Sequence, residues 1–226
     1  MTTFSQLVTT VSDKIQDDSF GSTEIKRRIN KAVSKIARGV RLPGWHDVTP
    51  PIPELLSITT IDTELSIGYT TLPSTFQRDL KLCVNSSGDQ IFIYDSFAKF
   101  MARYPSLSNA GDSVEAVCAH GGKLYYQPIP STAQTLTVHF YRKPVDMVGV
   151  DDTPDGIPED IDEDLLVNFV CEDIFSEIED GVEGRKVNTS YHLSKFYAEM
   201  ENFVGIIGHD GDAQTYDDVS EYTDSY

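Results

Sequence analysis

Helical apolar stripes stand in pairs at the two ends of this chain, and a long stretch written in strand residues separates them. That order restricts the fold more than any other feature of the sequence. Phe4, Leu7, Val8, Val11 and Ile15 recur at helical spacing. Thr3 and Gln6 have the form of a capping box, and the helix should stop within residues 17–21. Ser22 is placed to cap a second helix with Glu24 in its first turn, and Ile25, Ile29, Val33, Ile36, Ala37 and Val40 form its apolar stripe. Pro43 and Gly44 end it. Arg27, Lys31, Lys35 and Arg38 follow the opposite side and are therefore exposed in any hairpin of the two helices.

From Pro43 the vocabulary changes. Pro50, Pro51 and Pro53 precede segments rich in Thr, Ile, Tyr and Val, which favour strands. The candidates are 56–61, 65–71, 80–84, 90–94, 114–120, 123–127 and 134–141, with a short helix over 96–104. Gly121-Gly122 between VEAVCAH and KLYYQ is a two-residue hairpin signal. TLTVHFYR alternates Leu136, Val138 and Phe140 or Tyr141 with polar residues, as a half-buried antiparallel strand does.

After the turn-rich GVDDTPDGIPED, a third helical stripe runs through Ile161, Leu165, Leu166, Phe169, Val170, Ile174 and Ile178 to Gly181. A fourth runs through Leu193, Phe196, Tyr197, Met200, Phe203, Val204 and Ile207, with Asn188 as its cap and Gly208 at its end. The remaining HDGDAQTYDDVSEYTDSY has no sustained period, six acids and no base. The expected class is α+β: a four-helix bundle built from the N- and C-terminal helix pairs (1–45 and 157–208), an inserted antiparallel β-rich lobe (46–156) and an extended C-terminal arm (209–226). The arm's composition cannot repay its own ordering entropy, so it is expected to order only on a neighbouring protein.

Charge is divided along the same axis. Residues 146–226 hold 23 acids against Arg185, Lys186 and Lys195, whereas residues 1–145 hold 15 bases against 13 acids. Seven bases fall within 26–41 with no acid among them. Opposed charge of this kind can merely solvate the surface, or it can orient one subunit on another. With a net charge of −18 the chain is a poor general binder of nucleic acid.

Residue types at mechanistically useful spacing are missing. There is no GxGxxG after a strand, no GxxxxGK[ST], no GxSxG and no HExxH. His46, His120, His139, His192 and His209 are scattered singly. Cys83, Cys118 and Cys171 are odd in number and far apart, which suits a reduced compartment. Asp151, Thr153, Asp155, Gly156, Glu159 and Asp162 approach a calcium-loop spacing, but Pro158 and the final Asp weaken it; a linker leading into a helix N-terminus explains the run better. Glu177 and Asp180 could in principle do acid-base work, yet no aromatic subsite surrounds them. No cofactor and no metal are expected. The opening MTTFSQLVTTVSDK lacks a basic flank and apolar h-region, and no apolar run approaches the roughly 18 residues of a membrane span. A soluble protein made in a cytoplasm, without membrane contact, is expected.

Several stretches, in order, resemble the head-tail adaptor proteins of tailed bacteriophages, which include the tail accessory factors of short-tailed phages. TFSQLVTTVSDKIQDDSFGSTEIKRRINKAVSKIAR looks like their leading helical hairpin, and LPSTFQRDLKLCV like their Leu-Pro-x-x-Phe strand entry. LYYQPIPSTAQTLTVHFYRKPVDM is similar to their strand-turn-strand ending in Tyr-Arg-x-Pro. IPEDIDEDLLVNFVCEDIF and YHLSKFYAEMENFVGII resemble their closing helix pair. The β insertion around 85–120 and the acidic arm depart from the pattern.

The resemblance implies a non-enzymatic virion protein of the neck, assembled in the host cytoplasm. It implies a dodecameric ring beneath the portal protein, with a nozzle or tail-tube component below and DNA passing through the channel without sequence-specific binding. Arg27, Lys31, Lys35 and Arg38, together with Tyr216, Val219, Tyr222 and Tyr226 among the acids of the arm, are the expected subunit or portal interface residues. The competing classes are another neck or tail ring such as a stopper or nozzle, an acidic DNA mimic, and a carboxylate-dependent hydrolase.

Overall fold

The computed structural model describes residues 2–180 and 186–208. The expected arm, with Tyr216, Val219, Tyr222 and Tyr226, lies outside the described residues. The chain forms two compact units: Met1–Ile52 with the chain from Val145 onward, and Pro53–Pro144. Residues 46–52 and 145–156, assigned from sequence to the β-rich lobe, thus group with the helices.

In the first unit, α1 spans Phe4–Ile15, and its capping box forms as expected: Thr3 Oγ1 accepts from Gln6 N–H while the Gln6 side chain accepts from Thr3 N–H. Helix α2 spans Ser22–Arg38, with Gly21 rather than Ser22 at the N-cap and Gly39 ending it. Ser22 sits already inside the helix and its side chain makes no cap. Further along, α4 covers Asp162–Ile178 and α5 covers Val187–Ile207. Asn188 is not the cap of α5, because it falls in the first turn. Glu179 does that work instead, its carboxylate accepting from the N–H groups of Asn188 and Thr189 and from Thr189 Oγ1.

Helix α4 is the hub of this unit. α1, α2 and α5 all pack on it, and α1 and α2 also pack on each other. The cause is in its sequence. Leu165 to Cys171 are seven consecutive buried residues, so α4 has no wet face over its middle two turns. Its only polar member there, Asn168, bonds to the Asp164 carbonyl and to His192 Nδ1.

The second unit is layered. Strands β1 (Leu56–Asp62), β9 (Thr135–Arg142) and β3 (Phe76–Val84) form an antiparallel sheet in the order β1-β9-β3. A second sheet has the order β2 (Tyr69–Thr71), β7 (Lys123–Gln127), β6 (Ala116–His120), β4 (Phe92–Ile93). Leu136, Val138, Phe140, Cys83 and Ile61 from the first sheet share one core with Val117, Leu124 and Tyr126 from the second. On the far side of the second sheet, Phe100 of α3 (Phe97–Arg103) packs on Ala116 and Cys118. The period-two alternation read in TLTVHFYR is therefore real. The Gly121-Gly122 hairpin is also present, both glycines having positive φ and His120 facing Lys123.

Two expectations fail. The lobe is not purely antiparallel: β4 runs parallel to β6, and β5 (Ala110–Gly111) parallel to β8 (Ile129–Pro130). The β4–β6 crossover contains α3, as a parallel pair requires. The strand expected over 65–71 shrinks to β2. The Tyr126 hydroxyl takes the backbone that would have made a ladder, accepting from Glu64 N–H at 2.6 Å and lying 2.9 Å from the carbonyl oxygens of both Glu64 and Ile67. Gly68 must then pass so close that a Cβ there would stand 2.6 Å from Gln127 Nε2.

Candidate interaction surfaces

The basic stripe of α2 is exposed, but much of its charge is met within its own chain. Arg27 forks onto Glu24 through Nε and Nη2 at 2.9 and 2.6 Å. Lys31 lies 3.6 Å from Asp173 of α4, and Lys35 sits over the Phe169 ring at 4.7 Å. Arg38 is exposed in the last turn of the helix. Arg28, one position off the stripe, is a residue that periodicity alone misses. Its side chain is only 7% exposed, and its guanidinium joins Glu24 of its own helix to Asp173 and Glu177 of α4. Side-chain hydrogen bonds from Arg27 and then Arg28 hold the Glu24 carboxyl down at about 2. Burial works against the Arg28 charge, but the bonds to Glu177 and Glu24 outweigh it and raise its pKa. The sequence did carry a signal for Arg28: it lies beside the apolar stripe, three residues before Lys31 and one before Ile29.

The segment that approached a calcium-loop pattern spends its carboxylates on backbone. Asp152 accepts from Val148 and Gly149 N–H at 2.7 Å each, which lowers its pKa, and Asp155 accepts from Val145 N–H. Asp162, only 1% exposed, accepts from Thr2 N–H and Thr2 Oγ1 and so ties the chain start to α4. Asn30 exchanges hydrogen bonds with both backbone groups of Met147. This pinned loop buries Met147 and holds Val145, Val148 and Val150 outward, Val148 at 82% exposure.

In the strand unit, the outward face of the three-stranded sheet is partly apolar. Leu56 lies opposite Tyr141 and Ile58 opposite His139, so all four share a face. Leu56 and Ile58 are 45% and 61% exposed. Among the described residues β1 pairs with β9 alone.

Among the described residues, several groups that could do chemistry are buried or already engaged. His192 is buried, stacked on Phe175 and bonded to Asn168, and burial lowers its pKa. Burial pushes the Cys83 and Cys171 thiols up to about 12 and about 11. Glu177, half of the pair weighed for acid-base work, is engaged by Arg28, and Asp180 is 3.6 Å from Lys186. Among the described residues no group of three or more His, Cys, Asp or Glu side chains could hold a metal ion, and no helix is long and apolar enough to cross a membrane.

The family model of the SU10 adaptor protein matches residues 2–220, nearly the whole chain. The chain belongs to the SU10 adaptor protein family. No curated protein matches it. The stretches that resemble phage head-tail adaptors lie within residues 3–207, and the family match extends through the β insertion around 85–120 and into the acidic arm. As a member of this family the chain is a structural phage protein, a virion component that works against other phage structural proteins. What the structure adds for an SU10-type adaptor is a division of surfaces. The stripe of α2 is brought together with α4, the valine loop with α1 and α2, and the exposed pair Leu56 and Ile58 with an open sheet edge.

Proposed function

We propose that this chain is one subunit of a dodecameric head-tail adaptor ring that docks beneath the portal protein, receives a nozzle or tail-tube component below, and leaves an open channel for DNA. The family match over residues 2–220 carries this reading. The described residues support it by what they spend their polar groups on: carboxylates and guanidinium groups lock helices together instead of converging on a cleft. In such a ring the four helices form the side-by-side contacts, and the β-rich unit and the 209–226 arm reach to neighbouring proteins. The excess of acids after residue 146 keeps phosphates from being held in transit, because a lumen lined by Lys and Arg would bind them through counterion release. The same rule assigns the channel lining to acidic side chains.

Negative-stain imaging of the purified protein, alone and mixed with portal, tests the proposal. Twelvefold rings capping the portal in the mixture are the expected outcome. A protein that stays monomeric in the mixture and is absent from mature virions would remove it.

A further inference from the structure

Among the described residues, strand β1 presents an unpaired edge of a kind that folded proteins seldom leave open. Over Leu56–Asp62 it pairs with β9 in unbroken register, and alternate backbone groups on its other side face away from the sheet. Edges are normally blunted by Lys, Pro, a bulge or brevity. LSITTID has no base, no proline and seven paired residues, and it shows Leu56 and Ile58 outward. The opposite edge is managed differently: β3 is irregular at three places against β9 and is continued by the Val84–Gln90 bridge and the bond from Ile91 N–H to Cys83 O. A long, flat, partly apolar edge invites another strand.

We propose that residues 215–226 of a neighbouring copy add to β1 as a further strand. This rests on the ring reading above and names the contact that would run from copy to copy. The sequence continues for 18 residues past Gly208, where α5 ends, enough to span up to about 60 Å when extended. In TYDDVSEYTDSY, Tyr216, Tyr222 and Tyr226 are separated by even intervals, so an extended strand places all three on one face, and the segment contains neither Gly nor Pro. Aromatic side chains beside Leu56 and Ile58 make favourable cross-strand pairs. Charge is not what draws the segment in: it holds acids and no base, and β1 itself carries only Asp62. The bases of the sheet lie on β3, where Arg78 is bonded to Asp79 and Lys81 sits over the Tyr141 ring, and at the end of β9 in Arg142. The acids therefore favour the Leu56 end of the edge, nearer Arg142, over the Asp62 end. A second β1 is the poorer occupant, since edge-to-edge pairing about a twofold closes a dimer, whereas segment-on-edge contact is heterologous and generates a ring.

Two full-length variants test this: one with Tyr216, Tyr222 and Tyr226 changed to Ser, the other Ile58→Asp. Both should melt like the wild type, because Ile58 is exposed and the tyrosines lie beyond α5. In wild-type assemblies the outward amides of β1 should exchange hydrogen at least about tenfold more slowly than in either variant. Neither variant should form rings with portal. An equimolar mixture should give heterodimers and nothing larger, because only one intact segment and one intact edge can meet. Rings from both variants, with β1 exchange as in the wild type, would overturn the inference and leave the ring reading standing. Equal β1 protection in a dilute wild-type monomer would overturn it in favour of docking within one chain. Protection that survives the tyrosine changes but vanishes without portal would assign the edge to the portal. A wild type that forms no ring with portal sinks the ring reading, and this inference with it.

Discussion

The helical unit and the strand unit treat their polar groups in opposite ways. In the first, residues that could reach outward turn inward: Arg28 clamps α2 to α4, Asp152 ties down the valine loop, Asp162 holds Thr2 and Glu179 caps α5. In the second, a strand edge and two aliphatic side chains that would gain by being covered remain outside. A basic stripe is thus a poor guide to an interface when its own chain supplies the counter-charges. An open edge is a better one, because backbone pairing outside β1 is unmet among the described residues.

The comparison breaks most readily at Arg28. Arg28→Met leaves Glu24, Asp173 and Glu177 clustered with their central cation gone. Removing one member of a buried ion pair costs about 3–5 kcal/mol, and the half-wet carboxylates put this case near the lower end. Urea denaturation should show a loss of about 3 kcal/mol in the transition of the helical unit. A loss comparable to that of an exposed Lys31→Met control would mean that Arg28 is solvated and the clamp unimportant.

In the strand unit the corresponding test is Tyr126→Phe. The side chain is fully buried, and its hydroxyl serves Glu64 and Ile67 backbone groups that have no ladder to join. Leaving those groups unpaired should cost about 1–3 kcal/mol. Urea unfolding followed by the NMR signals of the β7 and β9 amides reads the loss, since the single tryptophan, Trp45, belongs to the helical unit, and exchange at Glu64 should accelerate in the same variant. An unchanged midpoint would show that water replaces the hydroxyl freely.

Acid separates the units by a smaller effect. Glu24 has a folded pKa of about 2 against an ordinary 4.5, so the unfolded chain takes up its proton first. Its contribution is complete above pH 4.5 and is lost as pH falls toward 2. Asp152 and Glu179, whose pKa values are lowered by the N–H and hydroxyl groups they accept from, act in the same direction. Melting temperatures measured from pH 5 to pH 2.5 should therefore fall, and NMR should show the α2–α4 contact and the α5 start loosening before the β9 amides. Simultaneous loss in both units would contradict the division.

Most of the element order was legible in the sequence, because helices α1, α2, α4 and α5 carry long apolar stripes and β9 alternates cleanly. What escaped has physical causes. Asn188 looked like a cap, but Glu179 from the preceding helix supplied the acceptor, and no local pattern announces a distant carboxylate. Leu65 and Ile67 looked like strand residues, but the Tyr126 hydroxyl captured their backbone neighbourhood. Arg28 was read as one more base in a basic segment, and only the packing of α2 on α4 turned it inward. The open edge of β1 had no sequence signal at all, since an edge strand and a central strand with the same LSITTID differ only in what lies beside them.

The smallest expected effect concerns the stripe itself. Arg27 and Lys31 are more than half exposed, and surface pairs of this kind contribute little. Arg27→Gln with Lys31→Gln should leave the melting temperature within about 2 °C of wild type. Their counter-charges are shared with Arg28: Arg27 meets Glu24, which also meets Arg28, and Lys31 meets Asp173 at a longer distance than Arg28 does. Three cations, Arg27, Arg28 and Lys31, therefore face three carboxylates, Glu24, Asp173 and Glu177, so the cluster is neutral in sum and its two exposed cations stand at its rim. Such shared charge can still attract acids on an adjacent subunit, and only across short, unscreened distances. Ring assembly of the double variant on portal should accordingly be weakened at low salt and nearly unchanged at high salt. Assembly equal to wild type at both ionic strengths would show that the stripe serves its own chain and solvent alone, and would leave the open edge of β1 as the stronger candidate for contact between copies.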